Sequence, residues 1–135
     1  MTETQRRQLL KELSARLPYG VIVKNDKLGI EGKLLTVSNY QPACGYILTD
    51  IASGNQEYTL IEDVKPYLRP MSSMTEDEQR TLDSMCNGVE MVSRLSGLKM
   101  FDKAFDWLNE HHFDYRGLIP MGLALEAPEG MYNLE

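Results

Sequence analysis

Apolar residues first recur in this chain at Leu9, Leu10, Leu13 and Leu17, with Arg6, Arg7, Lys11, Glu12 and Arg16 filling much of the remainder. Three- and four-residue spacing of this kind predicts an amphipathic helix whose apolar stripe must be covered. Thr2 and Gln5 stand at the spacing of a capping box, which satisfies two backbone donors at the helix start. Pro18 and Gly20 end the pattern.

From residue 21 the period changes. Short runs rich in β-branched and aromatic residues predict strands near 21–24, 33–38, 45–50 and 57–61. Turn formers separate them: Asn25-Asp26, Gly29, the Asn39–Cys44 stretch with Pro42, and Ser53-Gly54-Asn55. The connections are too short for crossover helices, so antiparallel pairing is expected, as a small sheet or curled into an SH3-like barrel. Pro66 and Pro70 bar a long helix from EDVKPYLRP, which leaves a single 3₁₀ turn and an extended segment. A turn of that kind precedes the last strand of SH3-like barrels.

Residues 71–74 (MSSM) read as a hinge. Thr75 to Glu78 is a second capping box, with acids where the helix dipole favours them. Leu82, Met85, Val89 and Val92 continue it as a helix from about 75 to 94. Beyond Ser96-Gly97, the row Leu98, Phe101, Phe105 and Leu108 predicts another helix, to about His111 or His112. The two read as an antiparallel hairpin joined at Ser96-Gly97. Residues 113–132 are too apolar for a disordered tail, although Gly117, Pro120, Gly122, Pro128 and Gly130 interrupt them. They predict an ordered strap packed on the hairpin or the sheet. A helical turn is expected around Tyr115–Ile119, and an acidic partner for Arg116.

The fold class is therefore α+β: an N-terminal helix, a small antiparallel sheet or SH3-like barrel, then a C-terminal helical hairpin with an ordered tail. Two segments are expected, 1–70 and 71–135. Leu134-Glu135 matches the dipeptide commonly left before an affinity tag.

Composition narrows the function. The 135 residues carry a net charge of −6 and only two cysteines, Cys44 and Cys86. Neither spacing nor number suits a zinc or disulfide framework, so a reduced pair is expected. There is no apolar run long enough to span a membrane and no signal-peptide core near the start, which points to the cytoplasm. Charge is polarised along the chain. Residues 1–27 hold six basic against three acidic residues, whereas residues 71–135 hold five against twelve.

The only histidines, His111 and His112, are adjacent and would diverge by about 100° on a helix. With Asp106, Glu110 and Asp114 nearby they still lack the spacing of a helical metal motif, and a solvated helix end is expected. Cys44 and Ser72, Ser73 and Ser96 stand in no nucleophile elbow, and the glycines form no phosphate loop. No catalytic, cofactor or metal residue is assigned, and an enzyme is not expected.

KPYLRPMSSMTE and DYRGLIPMGLALEAPEGMY add a resemblance. Lys65–Pro70, Met71–Glu76 and Asp114–Tyr132 resemble segments of a group of uncharacterised proteins encoded by phages and mobile elements of gut Bacteroidetes. About a quarter of the chain is covered. Pro120-Met121 departs from the group, where Glu-Lys is common. The resemblance implies a phage or mobile-element setting and a cytoplasmic location, and it transfers no catalytic residue.

The expected role is thus a non-enzymatic accessory protein that binds another protein or a second copy of itself. The alternative is a nucleic-acid-binding factor using the small barrel and the basic N-terminal helix. Candidate interaction residues are Arg6, Arg7, Lys11, Tyr46, Tyr58, Tyr67, Arg69 and Arg116.

Overall fold

The structure, a computed structural model, describes residues 2–41, 44–51, 56–86 and 94–132; over 38–41, 44–51 and 56–58 it defines the strand backbone. Helix α1 spans Glu3–Arg16, and its capping box forms as the sequence predicts. Gln5 N–H donates to the Thr2 hydroxyl at 3.1 Å, and the Gln5 side chain accepts from Thr2 N–H at 2.9 Å. A 3₁₀ turn at Leu17–Tyr19 follows, and Gly20 takes the left-handed backbone (φ +70°) that turns the chain into the sheet.

Strands β1 (Ile22–Asn25), β2 (Ile30–Gln41), β3 (Cys44–Ile51) and β4 (Gln56–Leu60) are the four expected runs, and each pairs antiparallel with the next. Asn25 sets the first hairpin. Its carboxamide oxygen accepts from Lys27 and Leu28 N–H, both at 3.0 Å, and Gly29 supplies the positive φ. The expected turns at Pro42 and Ser53-Gly54-Asn55 lie outside the described residues.

A 3₁₀ turn at Ile61–Asp63 then leads into β5 (Val64–Leu68), the extended segment the two prolines require. β5 returns to β1, and the short β6 (Leu125–Glu126) from the tail adds parallel to β5. The order is β4-β3-β2-β1-β5-β6. The sheet curls enough for the Asn25 amide to reach the Thr59 hydroxyl at 2.8 Å, although β1 and β4 are not neighbours. Among the described residues no ladder joins β4 to β5, so the barrel expected as one form of this sheet does not close.

Helix α2 covers Glu76–Cys86 and α3 covers Arg94–Glu110, and the two pack against each other. Residues 87–93, the end of the first expected helix, lie outside the described residues. Ser96-Gly97 is not the connector. It lies inside α3, whose hydrogen bonding begins at Arg94, because one glycine costs a helix only about 1 kcal/mol.

The core draws on both segments. Leu9 and Leu13 of α1 pack with Val21, Val23, Leu34, Ile61, Val64 and Leu68 of the sheet region, and Leu118, Leu123 and Ala124 of the strap close the same cluster. The strap is ordered, as its apolar content requires. Tyr132 fastens its end: the hydroxyl donates to the Tyr67 carbonyl at 2.7 Å and accepts from Ile22 N–H at 2.9 Å. Tyr115–Ile119 forms successive turns instead of a helical turn. The Asp114 carboxylate accepts from Leu118 and Ile119 N–H, at 2.8 and 2.9 Å, and takes the donors a helix would use.

Candidate interaction surface

The candidate cations are mostly committed within the chain. Arg6 bridges Glu3 and Glu62, and Arg7 lies 3.4 Å from Glu3. Arg69 grips both oxygens of Glu78 at 2.8 Å while its guanidinium lies 4.1 Å from the centre of the Phe113 ring. That fork holds the Glu78 carboxyl down to about 2, through the Arg69 hydrogen bonds first. Arg116 finds the acidic partner expected of it, Glu12, at 3.1 Å.

Tyr67 is buried, and its hydroxyl donates to Glu31. Burial first, and then this bond, push its pKa up to about 12. Strand register sets Tyr46 opposite Leu60 and Tyr58 opposite Leu48. Lys11 is exposed on α1. These eight residues are spread over α1, the sheet and the strap and do not form one site.

Sequence periodicity missed the buried polar cluster behind α1. Glu12 and Arg16 are both fully buried. Arg16 donates to Glu12 and to the Phe113 carbonyl, while the second Glu12 oxygen receives Arg116. One carboxylate and one carbonyl thus hold two guanidinium groups.

His112 lies in the same region and is not solvated. It is 1% exposed, stacks on Tyr132 with ring centres 3.7 Å apart, and takes a left-handed backbone (φ +61°) after α3. Burial, and next the positive charge of Arg16, bring its pKa down to about 3. His111 instead stacks on Trp107, with its Nδ1 2.9 Å from the Trp107 carbonyl. Among the described residues, no three His, Cys, Asp or Glu side chains converge as metal ligands would.

The His112 environment has a pH consequence. The unfolded chain binds this proton below about 6.5 and the folded chain only below about 3. Unfolding therefore takes up a proton in that window, and stability falls as pH falls through it. Between pH 7 and pH 5 the loss should be about 2 kcal/mol. Glu78 does not interfere there, because its contribution is lost only below its ordinary value of 4.5. His112→Asn, which tolerates the left-handed backbone, should flatten the dependence in urea titrations at pH 5 to 7. Parallel curves for the two proteins would refute this.

A cleft of about 700 Å³ opens between the turn after β5 and the strap. Arg69 and Glu78 in its wall are paired, and Ser73 donates to the Pro70 carbonyl. Glu126 and Glu129 are the wall carboxylates without an ion pair among the described residues.

The α3 surface leaves most of its apolar row uncovered. Leu98, Phe101, Phe105 and Leu108 form one row in the sequence, yet only Leu108 is buried. Leu98 is 66% exposed, Phe101 43% and Phe105 47%, with Leu95 at 64% one turn earlier. Gly97 and Ala104 supply the inward face instead. Exposed Asp102 and Asp106 adjoin the row, whereas Lys99 and Lys103 each point about 160° from Phe101 and Glu110 follows them, and none of the five makes an ion pair among the described residues. Loss of solvent, then Asp106, Glu110 and Asp102, raises the Tyr19 pKa, so the acidic end of α3 acts on the turn after α1.

No helix among the described residues is long and apolar enough to cross a membrane. Comparison with protein families, curated proteins and solved structures finds no match to this chain.

Proposed function

We propose that this chain is a non-enzymatic accessory protein that works by binding another protein chain through α3, in the phage or mobile-element setting its segments resemble. The observation that carries the reading is the row Leu98, Phe101 and Phe105, which stays 66%, 43% and 47% exposed although Phe105 packs on Tyr115. Contiguous apolar surface of this kind on a soluble chain marks an interaction site. Asp102 and Asp106 beside it would select the partner and its orientation. Nucleic-acid binding is the weaker reading, because Arg6, Arg7, Lys65 and Arg69 already face carboxylates of the same chain.

A photo-crosslinking residue at position 98, in the full chain in cells, tests this against the same residue at exposed position 27. The expected result is a protein adduct at 98 that Phe105→Asp abolishes. A nuclease-sensitive adduct, or no excess over position 27, would overturn the reading.

A further inference from the structure

We infer that the end of the strap, residues 128–132, is a latch that neutral His112 holds closed and that opens when this imidazole takes up a proton. The latch lifts while α1, the sheet and the rest of the strap stay folded.

Burial along the strap sets where it can part. Leu118, Leu123 and Ala124 belong to the core, whereas Pro128, Glu129 and Gly130 are exposed and Met131 is half-buried. β6 ends at Glu126, and the Ala127 N–H still donates to the Leu68 carbonyl at 2.8 Å. Beyond that bond, among the described residues, the backbone bonds only to itself, from Met131 N–H to the Pro128 carbonyl at 3.1 Å. Tyr132 fastens the segment, by its hydroxyl on Ile22 and Tyr67 and by its ring on His112. A segment with so few buried contacts opens at a lower free energy than the whole fold.

His112 gives this attachment its proton dependence. Its ring lies under Tyr132 with 20° between the planes, and its Nδ1 is buried without a hydrogen-bond partner among the described residues. Neutral imidazole can carry a lone pair at one nitrogen, but imidazolium is a donor at both. Protonation would therefore leave an unmatched N–H in the core.

The neighbours oppose the charge as well. Arg16 faces the ring from α1, Arg69 from the end of β5 and His111 from the end of α3, while the strap contributes the neutral Tyr132. Glu12 and Glu78 are engaged by those two arginines, and Asp114 by the Leu118 and Ile119 N–H groups. The Tyr19 carbonyl is the group that favours the proton. When Tyr132 lifts, water reaches the ring and supplies the missing acceptor. The same movement widens the cleft beside the strap, because Glu129, Gly130 and Tyr132 form part of its wall.

Opening takes up a proton between the ordinary histidine value of 6.5 and the closed value of about 3, so acid favours the open form. Between pH 7 and pH 5 the open fraction should rise about 25-fold.

Amide hydrogen exchange followed by NMR on the full chain at pH 7, 6 and 5, corrected for intrinsic rates, tests this. Ile22 N–H reads the latch, since it donates to the Tyr132 hydroxyl, and Leu34 N–H reads the sheet, since it donates to the Val21 carbonyl at 2.9 Å. Ile22 should be less protected than Leu34 at every pH, and its protection should fall about 25-fold from pH 7 to pH 5. In Tyr132→Ala, which uncovers the ring, His112 should titrate near its ordinary 6.5 by NMR while Leu34 stays protected. Four results would each overturn the latch: Ile22 as protected as Leu34, Ile22 protection unchanged by pH, a Tyr132→Ala chain whose His112 still titrates near 3, or one that no longer folds.

Discussion

Replacing Glu12 by Ala should cost about 3–5 kcal/mol, because the Arg16 guanidinium would stay fully buried without its carboxylate. Arg116 would lose the same partner, but it is part-exposed and can turn to water. The loss should appear as a fall in thermal midpoint of about ten degrees or more. Glu12→Leu with Arg16→Met removes both buried charges and should be far less damaging than Glu12→Ala alone. The strong non-additivity is what marks an ion pair inside a core. A Glu12→Ala protein within 1 kcal/mol of wild type in urea titrations would show that this site admits water.

Phe113→Ala should be comparably severe, at about 3–5 kcal/mol. The ring is completely buried, stacked near Trp107 at 5.8 Å and covered by the Arg69 guanidinium. Its backbone is fixed as well. Phe113 N–H donates to the Leu108 carbonyl at 3.0 Å, and its own carbonyl accepts from Arg16. Walls held this way cannot collapse into the space left by the ring. Phe113→Leu, which fills most of it, should lose about 1.5 kcal/mol or less. Equal losses for the two substitutions would mean that ring stacking, and not volume, sets the cost.

The elements legible in the sequence are those set by local chemistry. The Thr2–Gln5 capping box needs only neighbours three residues apart, and the β-branched runs and Asn25 turn need only their own hairpins. The order of the strap follows from its apolar content alone. What stayed hidden is decided across long separations. Glu12 and Arg16 stand at ordinary helix-surface spacing, and their burial depends on Phe113 and Arg116 arriving from about a hundred residues away.

The exposure of the α3 row stayed hidden for a related reason. Periodicity locates an apolar stripe but does not say whether the fold has room to cover it, and here Gly97, Ala104 and Leu108 occupy the inward side. Of the candidate site, the row Leu98, Phe101 and Phe105 was visible as a helical stripe, but not its exposure. Closure of the barrel was likewise beyond reach, since strand spacing does not reveal whether the first and last edges meet.

The strap also constrains when the molecule can fold. During synthesis the chain emerges at about 5–20 residues per second, so α1 and the strands leave the ribosome seconds before Phe113–Tyr132 exist. Through that interval Leu9, Leu13 and Leu68 lack the cover of Leu118 and Leu123, and Arg16 lacks a carbonyl acceptor. Ile22 N–H waits for a hydroxyl 110 residues downstream. The N-terminal half is therefore an unfinished surface while it is being made, and folding completes only when residues 113–132 dock. A nascent chain stalled before residue 113 should remain open to proteolysis along its α1 and β5 segments.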